Sequence, residues 1–249
     1  MVFIKIEQMK KYCFLFILLF VKVTITEAQS SDTLNNAIKI NLPALIARNI
    51  SVQYERAISP KMSLGLGLHL LPFGKLRSQK LISDIVDVAD INFSETKIGS
   101  WGIVPELRYY PGKKGVLRGF YFGPFFNYSE YKMDLPIYYN DKTGIFNGSV
   151  NTLTAGIQIG VQTKLSKGVW LDIWILGPNY GGSSGDLDFK GQLDEVEQSA
   201  LRFSIQNVKD DFPVKFIESY EVNESGAAMT IEGPWAGLRG AGLNLTFKF

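Results

Sequence analysis

Along most of this chain apolar and polar residues alternate one for one. The stretch "GAGLNLTFKF" shows it most strictly: Leu243, Leu245, Phe247 and Phe249 take the odd positions, while Gly242, Asn244, Thr246 and Lys248 take the even ones. A period of two belongs to a strand whose two faces meet different surroundings. The same pattern, rich in Val, Ile, Tyr, Phe and Trp and bounded by Gly, Pro and Asn, predicts strands over 36–43, 49–58, 62–72, 101–111, 118–131, 151–165, 168–180 and 235–249. In 62–72 one face is Leu64, Leu66, Leu68 and Leu70, against Gly65, Gly67 and His69. In 151–165 the apolar face is Leu153, Ala155, Ile157, Ile159 and Val161, and in 168–180 it is Val169, Leu171, Ile173 and Ile175. Strand 118–131 resists assignment, because its aromatics fall on both parities.

The connections sort by length. With both chain ends on one side, the links there are 59–60, 112–117 and 166–167, all short; the other side has 44–48 and three long stretches, 73–100, 132–150 and 181–234. A soluble sandwich has no reason to sort its loops this way. An outer-membrane barrel does, with turns in the periplasm and loops outside. Strands of this length also suit a tilted membrane crossing of ~9–11 residues. The fold class predicted is therefore all-β: an eight-stranded antiparallel up-and-down transmembrane β-barrel with short periplasmic turns and long extracellular loops. Its apolar face looks at lipid. Aromatic girdles are expected at Tyr109, Tyr110, Phe120, Tyr121, Trp170 and Phe249 on the periplasmic side, and at Trp101, Tyr128, Tyr131, Tyr180 and Trp235 on the outer side.

The N-terminal segment changes the picture of where the chain goes. "MKKYCFLFILLFVKVTITEAQS" has a basic start at Lys10 and Lys11, a short apolar run over 12–21, and small residues before a cut after Ala28. That is the grammar of a secretory signal. It divides the chain into a signal peptide, 1–28, and a barrel domain, 29–249, and predicts the cell outer membrane as destination. Cleavage removes Cys13, the sole cysteine, and with it any disulfide or thiol chemistry. It also leaves 22 basic and 22 acidic residues of the original 26 and 24, so no net charge speaks for nucleic acid as a partner.

With these features the chain resembles the small eight-stranded barrels of the OmpA transmembrane domain and OmpX kind. A closing run of alternating apolar residues, here Leu243, Leu245, Phe247 and Phe249, looks like the signal read by the barrel-assembly machinery. The wording of "AIKINLPALIARNISVQYERAISPKMSLGLGLHLLPFG" and "WLDIWILGPNYG" is similar to an uncharacterised family of such barrels with a domain of unknown function. The resemblance implies outer-membrane lipid and lipopolysaccharide as surroundings, a monomer, and no catalytic residue.

Candidate chemistry is sparse. Parity puts Lys39, Glu55, Glu106, Arg108, Lys164, Asp172 and Lys248 inside, four bases against three acids. Charges in a narrow, filled interior must pair, so these predict an ionic network that closes the barrel, with a gated ion path as the rival. His69, the only histidine, has no serine two residues on, and parity turns it inward; a polar interior residue is expected, not a catalytic base. No metal or cofactor site is expected. The stretch 181–234 is expected to be an acidic extracellular loop, with Leu193, Val196, Ala200 and Phe203 as the apolar stripe of a short helix and 212–222 as part of a hairpin. The function expected is a non-enzymatic structural or binding role through outer loops toward a partner the sequence does not name. A narrow pore, a lipid or small-solute transporter and a lipid-modifying enzyme are the rivals.

Overall fold

The computed structural model describes residues 35–75, 95–139, 142–211, 217–239 and 242–249. The expected signal peptide, 1–28, lies outside them. Ten strands and two helices follow in order: β1 (Asn36–Asn41), α1 (Leu42–Ile46), β2 (Ile50–Ser59), β3 (Met62–Lys75), β4 (Lys97–Tyr109), β5 (Gly119–Tyr139), β6 (Lys142–Lys164), β7 (Val169–Lys190), α2 (Glu195–Asp211), β8 (Ile217–Asn223), β9 (Gly226–Arg239) and β10 (Gly242–Lys248).

All pairings are antiparallel. Strands β1 to β7 run as neighbours, and β10 hydrogen-bonds to both β1 and β7, which closes a ring of eight. At the seam Ile38 lies opposite Phe247 and Ile40 opposite Leu245, while Leu245 also faces Leu171. On the short-turn side the first and last strands are tied by Asn36 N–H to Phe249 C=O and Phe249 N–H to Asn36 C=O, both 3.0 Å.

The alternation expected from sequence is the one found. Leu66, Leu68, Leu70, Leu153, Ile157, Ile159 and Ile175 are exposed on the outside, and Gln158, Gln162 and Asp172 are buried inside. Strand β5 resolves as well: Phe120, Phe122 and Phe126 point out, and Tyr121 and Phe125 point in. Its inward aromatics are accommodated by glycine on the next strand. Tyr121 sits across from Gly160 and Phe125 across from Gly156, and a Cβ on either glycine would run into the facing ring. Trp174 covers Gly242 in the same way. Large side chains thus lie over bare backbone, which lets a ring this narrow hold them. Three aromatics expected in the girdles, Tyr110, Tyr121 and Trp170, are buried in the interior instead. Each stands on the inward parity of its strand, which position along the strand alone did not register.

The largest departure is on the far side. The stretches 132–150 and 181–234 are, in their described residues, mostly strand and helix: β5 and β6 pair without a break from Gly119/Gln162 up to Tyr139/Lys142, β7 runs to Lys190, and the expected helix and hairpin follow as α2 and β8–β9. The expected strand 235–249 is likewise the end of β9 followed by β10. Beyond the ring the sheet continues as β5–β6–β7–β9–β8. The inward positions of β6 lead outward from Gln162 to Phe146, which meets Phe189 of β7 at a ring-centroid distance of 4.9 Å. Those two rings, with Leu193, Leu201, Ile205, Ile217, Val222, Met229 and Ile231, form a second small core under α2. The helix starts on a capping box: Asp194 Oδ1 accepts from Glu197 N–H (2.8 Å) and Glu197 Oε2 from Asp194 N–H (2.9 Å). It buries Leu201 and Ile205, leaving Val196 and Phe203 of the expected stripe at 78% and 69% exposure. Two of its cations reach free carbonyls of the edge strand β8, Arg202 to Val222 O (2.6 Å) and Lys209 to Glu218 O (2.8 Å). This covers an edge that would otherwise template further pairing.

Candidate functional site

The inside of the ring is built by alternate positions of its strands, and five of the seven expected charges meet there. Lys39 of β1 bonds Glu55 of β2 and Asp172 of β7. Arg108 of β4 is the hub. Its Nε holds Glu106, its Nη1 reaches Asp172 Oδ2 at 2.7 Å and Glu55 Oε2 at 3.4 Å, and its Nη2 donates to Gln53 Oε1 at 3.1 Å. All five charged side chains are fully buried. Neutral groups saturate the remaining lone pairs. Tyr121 O–H donates to Asp172 Oδ1 (2.8 Å), Tyr110 O–H to Glu55 Oε1 (2.5 Å), Gln162 Nε2 to Glu55 Oε2 (3.0 Å), and Ser63 Oγ to Glu55. The Arg108 guanidinium also lies 4.2 Å from the centre of the Tyr121 ring. Burial of this many ions is tolerable only with such complete pairing.

Two expected members stand apart. Lys164 has the inward parity but sits at the end of β6, exposed, where the strand leaves the ring; it is not part of the network. Lys248 is inside but below the cluster, donating to Leu117 C=O with its ammonium 3.3 Å from the Trp170 ring centre. The place expected for Lys164 is filled by Arg239 of β9. Arg239 Nη1 donates to Glu106 Oε2 and Gln158 Oε1, both at 2.8 Å, and its guanidinium lies 4.3 Å from the Trp174 ring centre. Lys39, Arg108 and Arg239 thus balance Glu55, Glu106 and Asp172.

Arg239 was hidden by a bulge. On β7 the register against β6 slips between Ile159/Leu176 and Gly160/Trp174. The inward parity of β7 is even at Asp172 and Trp174 and odd at Ser183 and Phe189. The facing strand changes phase at the same height, from Arg239, opposite Gly177, to Gly242, opposite Trp174. Counting inward positions back from Lys248 through this irregularity puts Arg239 on the wrong face.

The four residues read as an assembly signal lie on the outer parity of the last segment, Leu243 and Leu245 half-buried at the seam and Phe247 and Phe249 exposed. His69 faces inward near the far end of the ring, over Gly102 and opposite Ser51 in register, with no hydrogen bond between His69 and Ser51. No group of three His, Cys, Asp or Glu side chains able to hold a metal ion occurs among the described residues. The ion pairs form a salt-bridged plug that crosses the section of the ring from β1 to β7 and from β4 to β9. Above the plug, on the side of α1 and the long strands, the ring opens into a cavity of ≈ 460 Å³.

Residues 13–180 match a family described as "Protein of unknown function (DUF3575)", and the chain belongs to it. No curated protein and no solved structure matches the chain.

Proposed function

We propose that this member of the DUF3575 family is a non-conducting outer-membrane protein. On this reading the eight-stranded ring is a transmembrane barrel of the OmpA/OmpX kind, with its short turns in the periplasm. The helix-covered extension of β5–β9 is then a folded cap outside the cell, and the protein serves a binding or structural role there and not catalysis. Lipid and lipopolysaccharide would surround the ring, and the barrel-assembly machinery would insert it.

The observation that carries the reading is the outer surface. One lateral row of neighbours runs Leu171, Leu245, Ile40, Val52, Leu68, Ile103, Tyr128 and Leu153; the next runs Val169, Phe247, Ile38, Tyr54, Leu66 and Pro105. No charge interrupts either row, and Val52, Leu68, Ile103, Leu153, Ile38, Tyr54, Leu66 and Phe247 are exposed large hydrophobics. An apolar belt around a whole molecule far exceeds the few hundred Å² that soluble monomers carry. A closed ring also leaves no unpaired strand edge in the belt, the condition for strands to cross hydrocarbon. The paired interior supports a non-conducting role.

Refolding into lipid vesicles tests the first half. The folded protein is expected to float with the vesicles and to migrate differently on gels before and after boiling. Planar-bilayer recording tests the second: no steady single-channel steps are expected, and their appearance would overturn the plugged interior.

A further inference from the structure

The cavity above the plug has features of a binding site. It lies at the mouth of the ring and is lined among others by Asn49, Gln53, His69, Ser100, Arg239 and Asn244. Its volume of ≈ 460 Å³ is within the ~300–1,000 Å³ usual for small-molecule sites. Two polar atoms in its wall are buried without a partner among the described residues, the acceptor Asn49 Oδ1 and the donor Gln53 Nε2. Gln53 is only 7% exposed, and its Oε1 is held by Arg108, so the amide is fixed with its N–H₂ unspent. Leaving such groups unpaired costs ~1–3 kcal/mol each, which a ligand supplying both a donor and an acceptor recovers.

Charge narrows the class. Among the described residues the guanidinium of Arg239 is the one permanently charged group in the wall, and Glu106 already neutralises it at 2.8 Å. An oxyanion would compete with Glu106 for a cation the plug needs, and a cationic ligand would meet Arg239. Amides and hydroxyls, which donate and accept at once, fit a ligand whose groups do the same.

We propose that the mouth cavity binds a neutral polyhydroxylated ring, that is, an uncharged sugar. The sugar is free in solution or terminal on an envelope glycan; only this choice of source rests on the outer-membrane reading. The site belongs to the folded ring itself. The experiment uses the full chain, refolded in a sugar-free amine-oxide detergent and shown folded by its gel shift on boiling. Saturation-transfer NMR is then run with the methyl glycosides of glucose, galactose and mannose, and with glucuronate and glucosamine as charged counterparts. At least one neutral glycoside should bind saturably, and more tightly than its charged counterparts. Asn49→Leu and, separately, Ser100→Val should weaken it by ~5–10-fold. Competition by delipidated lipopolysaccharide core identifies a glycan source, and its absence a free sugar. Folded protein that binds none of the neutral glycosides, binds the charged ones better, or is indifferent to both substitutions overturns the proposal. A protein that binds sugar but does not float with vesicles instead overturns the membrane reading and leaves the site standing.

Discussion

Arg108 touches Glu55, Glu106 and Asp172 at once, and its guanidinium covers Tyr121. Removing it leaves three buried carboxylates to two cations, Lys39 and Arg239, so Arg108→Leu is expected to cost ~3–5 kcal/mol in urea unfolding from vesicles. Adding Glu106→Gln should return only part of that loss, because Glu55 and Asp172 keep a single cation, Lys39, between them. Full recovery would mean that Glu106 alone needs Arg108. The sequence made this cluster legible because Lys39, Glu55, Glu106, Arg108 and Asp172 all stand on stretches where the two-residue count runs unbroken. Lys164 obeys the same count and still falls outside, since parity gives the face and not the depth. A second residue-scale feature was not legible at all: glycines matched to large side chains one strand away. A Cβ at Gly242 would meet only Trp174 side-chain atoms among its nearest neighbours. Gly242→Ala should therefore overpack the interior and cost ~1–3 kcal/mol, and Gly242→Ala with Trp174→Leu should cost less than the two single changes summed. Additivity in that double-mutant cycle would remove the packing explanation.

Among the elements, β10 carries the sharpest contrast between neighbouring positions. Leu245 faces out between Ile40 and Leu171, and Thr246 faces in, fully buried, opposite Lys39. If the outer belt meets lipid, Leu245→Arg costs ~2–4 kcal/mol, toward the lower end because the strand ends a few residues later. Sequence alone suggests that an inward Arg would be the cheaper change. That holds only if the Arg does not crowd the ionic plug, and Thr246, fully buried opposite Lys39, is where such crowding is expected. Thr246→Val, by contrast, should be silent or mildly stabilising, because Thr246 Oγ1 is a buried hydroxyl with no hydrogen-bond partner. A clear loss of stability in Thr246→Val would point to an unrecognised partner for that oxygen. The same strand shows why part of the fold stayed out of reach. Alternation finds strands but does not say where they stop, so the polar, acidic stretches of β6, β7 and β9 beyond the ring read as loop. The helix was placed by the helical spacing of Leu193, Val196, Ala200 and Phe203, but Val196 and Phe203 face away from the small core that Leu193, Leu201 and Ile205 enter.

At the scale of the whole molecule, two cores share one sheet. The ring closes through β10 pairing with β1 and β7, and none of those pairs involves α2 or β8. Lys190 and Gly226 are register partners, so replacing 191–225 by Asn-Gly should turn β7 and β9 into a tight hairpin and leave the ring able to fold. The shortened protein is expected to keep its gel shift on boiling. It should also associate with itself, because Phe146, Phe189, Met229 and Ile231 lose their cover. Loss of the gel shift would mean that the cap is needed for closure.

The ion pair between Lys39 and Asp172 joins residues 133 apart in sequence, from the first strand of the ring to the last but one. Its consequence is one of timing. Until the opening strand meets the closing ones, Lys39 and Asp172 cannot neutralise each other. Glu55 can hold Lys39 from the neighbouring strand, but Asp172 has only Arg108 besides, and on the membrane reading an ion short of its partners costs several kcal/mol in hydrocarbon. A half-inserted sheet would then be disfavoured in the bilayer relative to a closed one. On the same reading the plug would also time the chain's entry, holding it at the surface until its two ends have found each other.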